Sequence, residues 1–190
     1  MIRPLIVILA LATACSRPTE TKLVSTDTVA NKLPLESTTT QTDGQAKLPD
    51  FVKNFKLPDS LLINVGKVLT GDFNADGRQD FASLVTNLKN GFLGVIVIHN
   101  NNRQEYFVFG AGQEINRMKN LDWIDEFRTI PQGQTVAPTL VDEKTGDIIG
   151  DDKTKEFRLK GEGLFMHVDE ADGGGILFWK GDKYEWYHIE

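Results

Sequence analysis

The sequence has one cysteine in 190 residues, only three histidines, and no excess of positive charge. A single cysteine excludes an intramolecular disulfide and a thiolate zinc site. Twenty-one Lys and Arg stand against 27 Asp and Glu, a formal net charge of −6. That balance excludes nucleic acid as an expected partner, because neutralising phosphates takes a basic surface. No apolar run approaches the roughly 20 residues that a membrane-spanning helix needs. Catalytic signatures are scarce too. There is no H-E-x-x-H pair and no G-x-S-x-G elbow. What is present is a chain that folds: 40% of residues are hydrophobic and 25% charged, the composition of a globular domain and not of a disordered one.

The chain begins Met1-Ile2-Arg3-Pro4 and continues with the apolar run Leu5 to Ala12. One positive charge before a short apolar stretch reads as a secretory signal. The lone cysteine follows in Ala12-Thr13-Ala14-Cys15. This resembles the lipobox of bacterial lipoproteins, with Ala12 where Leu is usual. The resemblance implies a lipid on the Cys15 thiol, cleavage after Ala14 and acylation of the new amine. Several acyl chains anchor stably where one binds only marginally. Ser16, next to the cysteine, fits outer-membrane sorting by the same resemblance. The expected location is therefore the cell envelope, lipid-anchored to the outer membrane.

Three segments are expected: a cleaved signal at 1–14, a lipidated Cys15 with a disordered tether to 49, and one β-rich domain over 50–190. Residues 16–49 hold three Ser and eight Thr with no aromatic residue, too little apolar surface to offset the entropy of ordering. The domain reads as mainly β, a single antiparallel-sheet fold. Strands are expected at 62–70, 80–86, 92–99, 104–109, 155–160, 163–168, 175–179 and 183–189. Lys180-Gly181-Asp182 marks a hairpin between the last two. Ile115, Met118, Leu121 and Ile124 fall near one helical face, which predicts a helix or helical turns over 114–127. A short helix is also expected near 51–56, and a long loop over 131–153.

The most specific motif is Asp72-Phe73-Asn74-Ala75-Asp76-Gly77-Arg78-Gln79-Asp80. Oxygen-bearing side chains recur at loop positions one, three, five and nine. Calcium takes six to eight hard oxygens, and a loop coiling about one point turns alternate side chains inward. The expected ligands are Asp72, Asn74, Asp76 and Asp80, with the backbone carbonyl of Arg78. Gly77 supports the sharp turn. Ser83 occupies position twelve, where an EF-hand needs Glu, and both flanks read as strands. The segment instead resembles the calcium loop of FG-GAP/VCBS repeats. The wider domain resembles small bacterial lipoproteins with one such loop, through Leu121 to Asp125 and a closing Trp179 to Tyr184 hairpin. That resemblance implies architecture and location, not a reaction.

Other groups read as structural. The acidic stretches Asp142 to Asp147 and Asp151-Asp152 read as a solvated loop, and Asp169 to Gly175 as a strand connection. His99, His167 and His188 read as cross-strand side chains. Trp123, Trp179, Trp186, Tyr184 and Tyr187 read as core. The expected function is non-enzymatic binding or scaffolding by an exported lipoprotein with one structural calcium ion. Its expected partners are the membrane, through the lipid, and an exported protein or a carbohydrate. The rival readings are a periplasmic inhibitor or immunity-type protein and a metal-assisted hydrolase.

Overall fold

A computed structural model describes residues 48–103, 105–169 and 173–189. The expected signal segment, Cys15 and nearly all of the tether lie outside the described residues. The elements are α1 (Asp50–Lys53), β1 (Leu61–Gly71), β2 (Asp80–Asn87), β3 (Leu93–Ile98), β4 (Tyr106–Gly110), β5 (Glu126–Ile130), β6 (Thr135–Val136), β7 (Thr139–Val141), β8 (Ile148–Asp151), β9 (Phe157–Arg158), β10 (Gly163–His167), β11 (Gly174–Trp179) and β12 (Tyr184–Ile189). The fold is mainly β, with antiparallel sheets and one short helix, as the alternating apolar runs predict. Among the described residues no helix is long and apolar enough to cross a membrane.

Two four-stranded sheets carry the structure. The first has the order β1-β2-β3-β4 and the second β12-β11-β10-β5. Side chains alternate across each strand, so each sheet has two faces to cover. Ala82, Leu84, Val95 and Val97 of the first sheet pack with Leu164, Met166 and Leu177 of the second in one buried cluster. That cluster is the core between the sheets. On the outer face of the first sheet, Phe81, Val85, Ile96, Ile98 and Val108 pack with Val52 of α1 and with Phe51, Phe55 and Leu57 around it. On the outer face of the second, Phe165, Ile176, Phe178 and Tyr187 pack under Val136 of β6 and Leu159. Both sheets are thus covered on both faces. This explains why 92–99 reads as an almost unbroken apolar run.

Three expectations need correction. The strand expected over 155–160 is reduced to the two residues of β9, because Lys153–Lys155 turn as a short 3-10 helix just before it. The helix expected over 114–127 is absent: 114–125 form turns, and Glu126 and Phe127 open β5. Ile115 and Met118 exchange backbone hydrogen bonds at 2.9 and 2.8 Å, and between them Asn116 and Arg117 have φ of 46° and 66°. Two successive left-handed residues make a hairpin turn of the mirror-image type, which an α-helix excludes. The periodic spacing of Ile115, Met118, Leu121 and Ile124 serves a convoluted loop that packs on the central core. The expected loop over 131–153 contains β6, β7 and β8. β7 and β8 form a separate two-stranded hairpin whose turn is held by Asp142, which accepts from the amides of Lys144 and Thr145 at 2.8 and 3.1 Å.

A carboxylate loop at one end of the sandwich

The β1–β2 ladder closes with Gly71 opposite Asp80, and residues 72–79 bridge the pair. The loop is tied by its own acidic side chains. Asp72 accepts from the amide of Asp76 on Oδ1 (3.0 Å) and of Gly77 on Oδ2 (2.9 Å). Asn74 Oδ1 accepts from Asp76 N (3.0 Å), and Asp76 Oδ1 accepts from Arg78 N (2.9 Å). These are successive Asx turns, in which a short side chain takes the place of a backbone acceptor. Asn74 Nδ2 also donates to Asp76 Oδ2 at 3.1 Å. Ala75 and Gly77 sit at φ 63° and 83°. A Cβ at position 77 would touch nothing within 4 Å, so the glycine answers to its dihedral angle and not to crowding.

Asp80 differs from the others. It is fully buried. Its Oδ2 accepts from the amides of Phe73 (3.1 Å) and Asn74 (3.3 Å), and its Oδ1 from Asn100 N (2.8 Å). It therefore pins the start of its own loop and the segment that follows β3. Burial pushes its pKa up to about 6; the amides, Asn100's foremost, pull against that, and the charge of Asp76 adds to it. Each carboxylate oxygen has about two lone-pair sites. Oδ2 of Asp80 has spent both, whereas Oδ1 keeps one.

Residues remote in sequence complete the site. The Phe73 ring is fully buried in the core between the sheets, so the loop is anchored from within. Asp72 and Glu162 exchange bonds: Glu162 N donates to Asp72 O (2.8 Å), and Glu162 Oε1 accepts from Asp72 N (3.2 Å). At Gly161 the backbones come so close that a Cβ would stand 2.5 Å from the carbonyl oxygen of Asp72. Beneath the loop His99 is buried, with Nε2 at 2.8 Å from the Tyr184 hydroxyl and its ring against Phe107 and Trp179. Burial, and then the charges of Asp80 and Asp72, hold the Tyr184 phenol well above its ordinary pKa. His99 is pushed down by burial.

Sequence reasoning finds the loop residues but misses Glu162, Gly161 and Asn100, which carry no motif of their own. The other singled-out residues occupy structural places. Trp123, Trp186 and Tyr184 pack on the central core and Tyr187 on the outer one. His167 stacks on Phe165, and His188 is exposed on β12.

The donor set is all oxygen, and no described cationic side chain forms an ion pair with Asp72, Asp76 or Asp80. The Arg78 guanidinium turns to the carbonyl of Asn100 at 3.4 Å. Chemically this suits a hard divalent cation. Geometrically it is not a ready cage: among the described residues no three His, Cys, Asp or Glu side chains group as a metal site. Asp72, Asn74 and Asp76 face their own backbone and have spare lone pairs.

The chain matches no protein-family model and no solved structure. A curated relative, the imidazolonepropionase of Bacillus mycoides (strain KBAB4), is 33% identical to it over 122 residues, which are 63% of this chain and 26% of that protein. The chain thus spans about a quarter of the length of that relative.

Proposed function

We propose that this chain is an exported, lipid-anchored binding or scaffolding protein whose 72–80 loop takes one calcium ion for structure, not for catalysis. The observation that carries the reading is the loop itself. It concentrates Asp72, Asp76 and Asp80 with no described side-chain counter-charge, and each of the three keeps lone pairs beyond those that its amide donors use. Groups tied to their own backbone in this way build a turn first, and their remaining oxygens are what a cation would take. Asp72, Asn74, Asp76, Asp80 Oδ1 and the Arg78 carbonyl would hold the ion. When bound, calcium would supply the positive charge that offsets the three carboxylates of the loop. Attachment through Cys15 and an outer-membrane location rest on the lipobox resemblance.

Titration calorimetry of the full chain tests the ion. The expected result is one calcium site with Kd of about 10⁻⁴–10⁻³ M, the range of extracellular modules. Magnesium should bind more weakly, and Asp76→Ala should abolish the heat. Equal heats for wild type and Asp76→Ala would remove the proposal. Labelling cells with radioactive palmitate tests the anchor. Wild type should take the label and Cys15→Ser should not; a labelled Cys15→Ser chain contradicts it.

A further inference from the structure

Toward the opposite end of the first sheet, a crevice of about 260 Å³ opens between the 58–61 segment, the β2–β3 turn and the residues that follow β4. A quarter of the chain is charged, yet none of the ten residues lining this crevice is. Its polar groups are hydroxyls and amides. Asn87 is committed, its Nδ2 donating to Ala111 O and its Oδ1 accepting from Lys89 N. The Asn90 Oδ1 accepts from Phe92 N. The Ser60 and Tyr106 hydroxyls, the Asn90 Nδ2 and the Gln113 amide make no side-chain hydrogen bond to a described residue, and all four line the opening. Leu61 and Val108 supply apolar wall. The Tyr106 ring is partly exposed and held edge-on by Phe55 at 5.8 Å.

One residue that lines the crevice, Ala111, has a left-handed backbone between two glycines. Gly110, Ala111 and Gly112 have φ of 70°, 51° and 95° in succession. Ala111 is buried and non-glycine, so its left-handed backbone carries a cost that the surrounding packing must hold. Such backbone clusters at binding sites.

We propose that this crevice binds a neutral saccharide unit, a hexose or an N-acetylhexosamine. A sugar ring offers vicinal hydroxyls to amide and hydroxyl partners and a C–H face to an aromatic ring. The uncharged lining suits a ligand without phosphate or carboxylate. The volume lies just under the roughly 300–1,000 Å³ of sites for drug-sized ligands, so it admits about one ring. The crevice shares no residue with the carboxylate loop, so this proposal and the calcium reading stand or fall separately.

The test is saturation-transfer NMR and calorimetry on the full chain. The probes are the methyl glycosides of glucose, galactose and N-acetylglucosamine, with glucuronic acid and glucosamine 6-phosphate as charged controls. The expected result is saturable binding of at least one neutral probe with Kd of about 1–10 mM. The charged controls should bind at least about tenfold more weakly. Tyr106→Ala and Gln113→Ala should each weaken binding about tenfold or more; Gln113→Ala should leave the melting temperature unchanged, and Tyr106→Ala should lower it through the lost Phe55 contact. If Tyr106→Ala fails to fold, Gln113→Ala and Asn90→Ala decide. No saturable binding of any neutral probe overturns the proposal. So do equal affinity for the charged controls and unchanged binding in the folded variants.

Discussion

Asp80 is the residue on which the loop turns. Its three amide donors make it a clamp between β1, β2 and the segment after β3. Its folded pKa, near 6, lies above the ordinary carboxylate value. A group whose folded pKa is raised contributes stability that is complete at low pH and is lost as the pH climbs through the folded value. For Asp80 that window runs from about pH 4 to pH 6, and burial of the charged form is the cause. The carboxyl carbon of Asp80, followed by NMR without divalent ions, should titrate near pH 6. Saturating calcium should move that midpoint down, because a cation favours the carboxylate. A midpoint near 4 in the metal-free protein would contradict the burial account. Gly161 is the second telling residue. A methyl there meets the carbonyls of Asp72 and Phe73 at 2.5 and 2.7 Å, and backbone atoms cannot swing aside as a side chain can. Gly161→Ala should destabilise by about 1–3 kcal/mol, the usual cost of overpacking. Chemical denaturation reads it directly, and a variant as stable as wild type would mean the two loops are not pressed together.

At the scale of elements, strands were legible where apolar and polar residues alternate or crowd. Seven of the eight expected strands correspond closely to observed ones; the eighth, over 155–160, is reduced to the two residues of β9, and β5 lies where no strand is expected. The turn at 72–80 was legible because Asp, Asn and Gly recur in it at a fixed spacing. The 114–127 region was misread because helical spacing is only a statement about which side chains face the core. Here Ile115, Met118 and Ile124 do face it, but from a backbone that reverses at Asn116-Arg117. A non-glycine residue in left-handed conformation costs about 1–2 kcal/mol. Arg117→Gly should therefore raise stability by up to about 1 kcal/mol, part of the relief being offset by added unfolded-state entropy. A loss of stability in the melting curve would show that the Arg117 side chain matters more than its dihedral angle. The short strands β6 to β8 were hidden for another reason: two- to four-residue pieces among Pro, Gly and Asp have no room for a period. Glu162 and Asn100 were illegible because their roles depend on which loops the sheets bring together.

Across the whole molecule, the two-sheet stack places the loop. Phe73 threads it into the central core, Glu162 holds it from the second sheet's side, and Asn100 from the first. Both sheets have covered outer faces, so the sandwich can hold by packing alone, in keeping with a chain whose single cysteine can form no internal disulfide. The loop is therefore an addition to a stable frame, and calcium should raise stability without being required for folding. Thermal melting of the full chain across a calcium titration tests this most directly. If calcium binds only the native state, a concentration of 100 times Kd adds about 2.7 kcal/mol. The melting temperature should rise with calcium in wild type and stay flat in Asp76→Ala. A wild-type melting temperature that calcium leaves unchanged, matched by Asp76→Ala, would contradict the account.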